Sequence, residues 1–212
     1  MKFKMIKNKS HYTIKFVDDN VACVLIDSPA WNLACVGFVE CENWSGFAKA
    51  PKTEFRMLRG KSGVYVRMLT AETDLRCEIK EQNGNVYQDS CMEFFLKPDI
   101  NSGNYLNFEF NPAGVLHLGF GENRLNRLLF DVPRDIFRIE SSAKDGDWSL
   151  MFYIPDEFLH RYFNEISESM MGNFYKCGDL TDHQHYASWA SIDTESPDFH
   201  RPEFFGSLEF SM

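Results

Sequence analysis

The chain has 212 residues, 44% of them hydrophobic and 25% charged, which is the make-up of an ordinary folded domain rather than a disordered segment. A net charge of −9 and a pI near 5.2 argue against a phosphate backbone or an anionic membrane surface as partner. No window approaches the roughly 18 apolar residues of a membrane span, and the cationic start, MKFKMIKNKSHYTIKF, lacks the apolar run of a secretion signal. The expectation is a cytoplasmic protein that meets neither nucleic acid nor membrane.

Short alternating or apolar runs follow one another along the chain at 12–17, 21–26, 64–69, 92–96, 105–110, 115–120, 136–139, 148–154, 173–177, 185–190 and 206–210. Gly, Pro, Asn and Asp fill the gaps, as in KPDINSGN and KDGD. Many short strands at this spacing predict an all-β fold, an antiparallel β-sandwich of jelly-roll type that occupies 1–212 as a single domain. Twenty Phe, eight Tyr and four Trp suit it, because flat rings fill the space between packed sheets. One short helix is expected after Pro155, where Phe158, Leu159, Tyr162 and Phe163 fall on one face and cap the sandwich. The six cysteines, at 23, 35, 41, 77, 91 and 177, show no CxxC spacing, so they read as reduced, buried, small hydrophobes rather than as a zinc site.

The segment VYQDSCMEFFLKPD, residues 86–99, combines a buried-type strand with carboxylates. Side chains alternate between the two faces of a strand. Met92, Phe94 and Leu96 therefore share one face, while Asp89, Cys91, Glu93 and Phe95 share the other. In the next strand Leu106, Phe108 and Phe110 point one way and Asn107, Glu109 and Asn111 the other. An eight-residue loop joins the two strands as a hairpin, and matching the apolar faces puts Glu93 and Glu109 on one polar surface. Facing carboxylates repel unless a proton, a cation or a ligand lies between them. Asn is disfavoured in strands, so Asn-x-Glu-x-Asn points to bound groups. Carboxylates and amides edged by rings are the chemistry that sugar hydroxyls and C–H faces ask for.

With these residues the chain resembles the family 9 carbohydrate-binding modules. The resemblance rests on residues 86–95, on NFEFN at 107–111, and on the C-terminal run from Ser188-Trp189 through PDFHRPEFFG at 197–206, with the strand at 172–176 in support. It implies a β-sandwich, often steadied by calcium, that binds carbohydrate without catalysis and serves polysaccharide breakdown. The family holds its sugar between two aromatic rings, at the positions of Tyr87 and, nearby, Phe199. Glu93 and Asn111 match positions that bond hydroxyls, Lys176 stands where an amide is usual, and Glu109 stands where Arg is usual. Asp89, Asn107, Trp189 and Arg201 are expected to support the site.

Other readings stay open at this point. Glu93 and Glu109 could be the carboxylate pair of a glycoside hydrolase, although no GxSxG, HExxH or phosphate-binding Gly loop appears. The polar face could instead meet a protein. Phe199, Phe204 and Phe205 could simply close the end of the sandwich, and Trp189 could belong to its core. His183 and His185 could hold a metal, and Asp179, Asp182 and the Asp145-Gly146-Asp147 turn are candidates for calcium. Arg124 and Arg127 could contact an acidic sugar or lie in a solvated loop.

Overall fold

The computed structural model describes residues 10–18, 24–144 and 146–211, with the side chain of Arg134 left aside. Thirteen strands appear among them: β1 (His11–Phe16), β2 (Gly37–Phe38), β3 (Thr53–Arg59), β4 (Gly63–Thr70), β5 (Cys91–Lys97), β6 (Tyr105–Phe110), β7 (Leu116–Gly121), β8 (Leu128–Leu129), β9 (Glu140–Lys144), β10 (Asp147–Pro155), β11 (Ser169–Gly178), β12 (His185–Ser188) and β13 (Gly206–Phe210). One sheet runs β8-β7-β6-β5-β11-β13-β1, with β12 also paired to β11; the other runs β1-β3-β4-β10-β9, with β2 on β3. Strand β1 belongs to both. Its residues His11 to Ile14 pair with β13 and Lys15 and Phe16 with β3, each time in parallel, while the remaining ladders are antiparallel. This switch between sheets folds one over the other and curls the whole into a β-sandwich.

Alternation explains the core. Met92, Phe94, Leu96, Leu106, Phe108, Phe110 and Phe174 from the first sheet meet Phe55, Met57, Val66, Leu150 and Phe152 from the second in one buried cluster. Phe55 stacks on Phe174 with centroids 3.7 Å apart, and Phe152 lies 4.7 Å from Phe110 and 5.6 Å from Phe108. The expected helix is a single turn, α1 (Asp156–Leu159), followed by tight turns. Phe158 and Tyr162 pack on Phe130 and Phe137 there, so the segment caps the open end as expected.

Some elements differ from the sequence pattern. Residues 136–139 are not a strand: Arg134–Phe137 form a 3-10 turn behind Pro133, and Arg138 takes a left-handed conformation with φ of 46°. The turn drops Phe137 into the core beside Phe108 and Phe158. Of the run at 21–26, residues 21–23, with Cys23, lie outside the described residues; Val24 and Ile26 are buried but not in a strand. The local sequence pattern does not announce β2, β3, β8 and β9. In β3 the alternation is present, but Glu54 and Arg56 on the outer positions hide it from a hydrophobic reading.

Lys176 illustrates how parity sorts this sheet. It sits opposite Met92, on the core side, and its ammonium is 0% exposed. There it lies 2.8 Å from Glu72, a residue just beyond β4, so a buried ion pair ties the two sheets together. Lys176 Nζ also donates to the Cys177 carbonyl and reaches Nε2 of His185, 3.1 Å away. Because Nδ1 of His185 lies 2.6 Å from the His183 carbonyl, Nδ1 carries the proton and Nε2 accepts.

Removing one partner of a buried pair leaves the other charge unpaired, which typically destabilises by about 3–5 kcal/mol. Lys176→Met is expected to lower unfolding free energy by that order in urea titrations, and adding Glu72→Gln to restore part of the loss. His185 supplies a pH test. Burial first and the Lys176 ammonium next lower its pKa to about 4. The unfolded chain therefore binds a proton that the folded chain refuses, and stability contributed by neutral His185 is lost as pH falls from about 6.5 towards about 4. Wild type should lose more stability than His185→Gln across that interval.

Candidate functional site

The face of the first sheet that points away from the core is not solvated. A second buried cluster covers it, with Cys91 and Phe95 from β5, Tyr105 from β6, Tyr175 and Cys177 from β11, and Phe199 and Phe205 from the C-terminal segment. Within this cover a cavity of about 450 Å³ opens over β5, β6 and β11. Its floor carries Glu93 and Glu109, directly opposed across the β5–β6 ladder and only 3% and 4% exposed.

Each carboxylate is held differently. Glu109 accepts from Asn107 Nδ2 at 2.8 Å, and Arg127 Nε donates to Asn107 Oδ1 at 2.8 Å. Arg127 spreads its remaining donors over the carbonyls of Gly121, Asn123 and Tyr105, and its guanidinium lies 4.4 Å from the Tyr105 ring centroid. Gly119 makes this crossing possible, because a Cβ there would lie 2.6 Å from Asn107 Oδ1 and 3.0 Å from Arg127 Nε. Glu93 instead accepts from the Cys177 thiol at 3.1 Å. Burial, then Cys177 and Glu109, push the Glu93 carboxyl well above the usual range. Burial also raises Glu109, but His117, the Asn107 bond and Arg127 oppose that rise. Of the pair, Glu93 thus holds a proton more strongly, and Glu109 is the one that ionises more readily.

The walls are aromatic and come from a turn, the short strand β12 and the C-terminal segment. Tyr87 projects from the 3-10 turn at Val86–Gln88, and Tyr186 from β12, where it pairs with Cys177 and so shares the Glu93 face. Phe199 is 7% exposed and presents only part of its ring, because its other side stacks on Tyr175 at 4.2 Å and 10°. His117, opposite Glu109 in β7, has Nδ1 at 3.1 Å from the carbonyls of Asn83 and Gly84. His200 lies 2.8 Å from the Tyr105 hydroxyl; burial, then Arg127 and Arg124, lower its pKa to about 3 and keep it neutral. Asp179, Asp198 and Arg124 form the rim, with Arg124 3.3 Å from Asp198.

Of the residues expected from sequence, the cavity gathers Tyr87, Glu93, Asn107, Glu109 and Phe199. Asn111 is buried beside it with its amide spent on the Ile79 carbonyl, the Asp89 carboxylate and the Val115 N–H. Asp89 accepts from the backbone N–H groups of Glu78 and Ile79 and from Asn111, which fixes the 76–79 segment to the sheet. Lys176 points to the core side, as described. Trp189 packs between Tyr12, Phe55 and Phe174 in the core, and Arg201 pairs with Glu203 over the Phe204 ring, outside the cavity.

Of the residues considered for metals, His185 is engaged by Lys176, Asp182 is exposed and Asp145 lies outside the described residues. The sequence reading left out Tyr186, His117, His200 and Asp198. Parity on the β7 strand would have placed His117 beside Glu109; the others depend on pairings and loops that no local pattern announces.

An open cavity with a hydrogen-bonding floor and ring-lined walls, set on one face of a β-sandwich, is the arrangement of a small-molecule binding domain. The profile of carbohydrate-binding family 9 matches residues 30–210, and the chain belongs to that family. Among solved structures it is similar to a candidate carbohydrate-binding protein from Bacteroides uniformis, with 26% identity and a TM-score of 0.80 over 95% of this chain and 99% of the other. It also shares its fold with a family 9 module from Caldicellulosiruptor kristjanssonii. The complex of that module with cellotriose gives 11% identity and a TM-score of 0.62 over 95% of this chain and 93% of the other. The complex with glucose gives 12% and 0.64 over 95% and 96%. No curated protein matches the chain.

The Arg127 fan has a direct test. Arg127→Ala is expected to speed amide hydrogen exchange across residues 121–128 while leaving the β3–β4 hairpin unchanged, because its donors hold that loop to the sheet.

Proposed function

We propose that this chain is a non-catalytic carbohydrate-binding domain whose ligand enters the cavity between Tyr87, Tyr186 and Phe199 and rests on Glu93 and Glu109. The observation that carries this reading is the pairing of those two carboxyls. They sit at directly opposed positions at the base of a concave, ring-lined cavity, where two carboxyls of unequal proton affinity can accept from, and when protonated donate to, neighbouring hydroxyls. Asn107 and His117 extend the same floor. The ring faces of Tyr87 and Tyr186 supply apolar area for the C–H side of a pyranose, and a cavity of this volume lies within the range of about 300–1,000 Å³ common to small-molecule sites.

Hydrolysis is not favoured by the same geometry. Glu93 and Glu109 rise from neighbouring strands on one sheet face, so both approach a ligand from below, whereas a glycosidase places its two carboxyls on either side of the scissile bond. A concave cavity shared by Tyr87 and Phe199 also suits a small ligand better than a flat protein surface does.

The complexes of the Caldicellulosiruptor module make glucose and cello-oligosaccharides the first ligands to try. Calorimetric titration should give saturable heat with at least one sugar of a mono- and disaccharide panel. Tyr87→Ala should weaken that binding about threefold to tenfold, the effect of about 0.5–1.5 kcal/mol for one ring contact. Glu109→Gln should weaken it about tenfold to a hundredfold, as expected for a charged hydrogen bond of about 1.5–3 kcal/mol. Arg201→Ala, outside the cavity, should bind as wild type. No heat from any sugar in the panel would remove the carbohydrate reading.

A further inference from the structure

Beneath the cavity floor three acids meet. Cys91 and Cys177 are opposed across the β5–β11 ladder, and Glu93 lies two residues beyond Cys91 on the same face. One ligand atom from each falls within 4.8 Å of the other two, and all three residues are buried. We propose that Cys91, Cys177 and Glu93 form a binding site for a thiophilic divalent cation of the zinc class, with a fourth position open to the cavity. This inference shares Glu93 with the carbohydrate reading but does not need it, because the cluster and its two cysteines are defined by the β5–β11 ladder alone.

The geometry supports it in three ways. A tetrahedral zinc with bonds of about 2.3 Å to sulfur and about 2.0–2.2 Å to oxygen separates its ligand atoms by roughly 3.5–3.8 Å, so side-chain shifts of about 1 Å close the set around an ion. The ligands come from the end of the β5–β11 ladder, where Cys91 opens β5 and Cys177 is held on both sides, by Cys91 of β5 and by Tyr186 of β12. Glu93 and Cys177 also line the cavity, whereas Cys91 is sealed below it. Three protein ligands with one side facing solvent is the pattern that leaves a coordination position for water.

Two thiolates select zinc-class ions over calcium or magnesium, which prefer oxygen. Among the described residues the Glu93 carboxyl accepts one hydrogen bond, from Cys177, and nothing cationic contacts it. Glu109 and Asp179 add negative charge nearby, the environment a cation would relieve. On binding, each thiol and the Glu93 carboxyl release their protons to solvent as S–metal and O–metal contacts form. The cluster escapes a spacing-based reading because its two cysteines are neighbours across a ladder and distant in sequence.

The test uses the full chain, chemically reduced and freed of metal with a chelator. Cadmium or cobalt chloride is then added while thiolate-to-metal charge-transfer absorption is followed. One equivalent of metal should saturate the signal. Cys91→Ser and Cys177→Ser should each abolish it, Glu93→Gln should weaken metal affinity at least tenfold, and Cys77→Ser should bind as wild type. Because the cysteine variants sit in the sheet, thermal unfolding checks that they are folded. In wild type, zinc chloride should also slow alkylation of Cys177, the thiol that lines the cavity, read by peptide mass spectrometry. Absence of charge transfer, its persistence in both cysteine variants, or alkylation rates unchanged by zinc would overturn the proposal.

Discussion

Phe94 faces Phe108 and Phe174 across its two ladders, and in the same register Glu93 faces Glu109 and Tyr175. This three-strand alignment of β6, β5 and β11 is the constraint on which the rest of the molecule depends. A slip by one residue would turn every side chain to the other face, sending Glu93 into the Phe-rich core and Phe94 into the cavity. The stacked rings of Phe55, Phe174 and Phe94, together with Phe152 from the opposite sheet, make that slip prohibitive. The apolar packing on one side thus fixes the chemistry on the other.

Holding acids under cover requires partners, and the fold supplies them from loops that lie far from β5 in sequence. Asp89 ties down the 76–79 segment, Asn111 joins the same network, and Arg127 reaches across Gly119 to Asn107 and so to Glu109. Unpaired polar groups buried in this way would each be costly, whereas a connected set stiffens the cavity floor. Glu93 is the exception. Its partner is a thiol, a weak donor, and this leaves it as the acid with the most unspent capacity, facing both the cavity and the two cysteines.

The walls follow another rule. Tyr87, Tyr186 and Phe199 belong to a 3-10 turn, the short strand β12 and a C-terminal loop, and all three pack with the buried cluster that covers the outer face of the first sheet. Tyr186 is braced edge-on by Phe47 at 4.8 Å and by Trp44 at 6.3 Å, and Phe199 by Tyr175. The abundance of rings therefore serves two separate places, the core between the sheets and the lining of the cavity.

Sequence alone determined the all-β character, the capping turn at Phe158 and Tyr162, and the two-faced hairpin that opposes Glu93 to Glu109. All three follow from local alternation and turn chemistry, which a single segment carries in full. It also sufficed to connect the segments at 86–95, 107–111 and 188–206 with carbohydrate-binding family 9. It did not reveal that Lys176 faces the core, since the phase of β11 against β5 is set by Phe174 and Tyr175 finding different clusters. Nor did it reveal that Asn111 is spent on Asp89, that Tyr186 closes the cavity, or that Cys91 meets Cys177. Those facts were decided by tertiary structure, because they depend on which distant strands share a ladder and on where the chain returns to cover an otherwise exposed face.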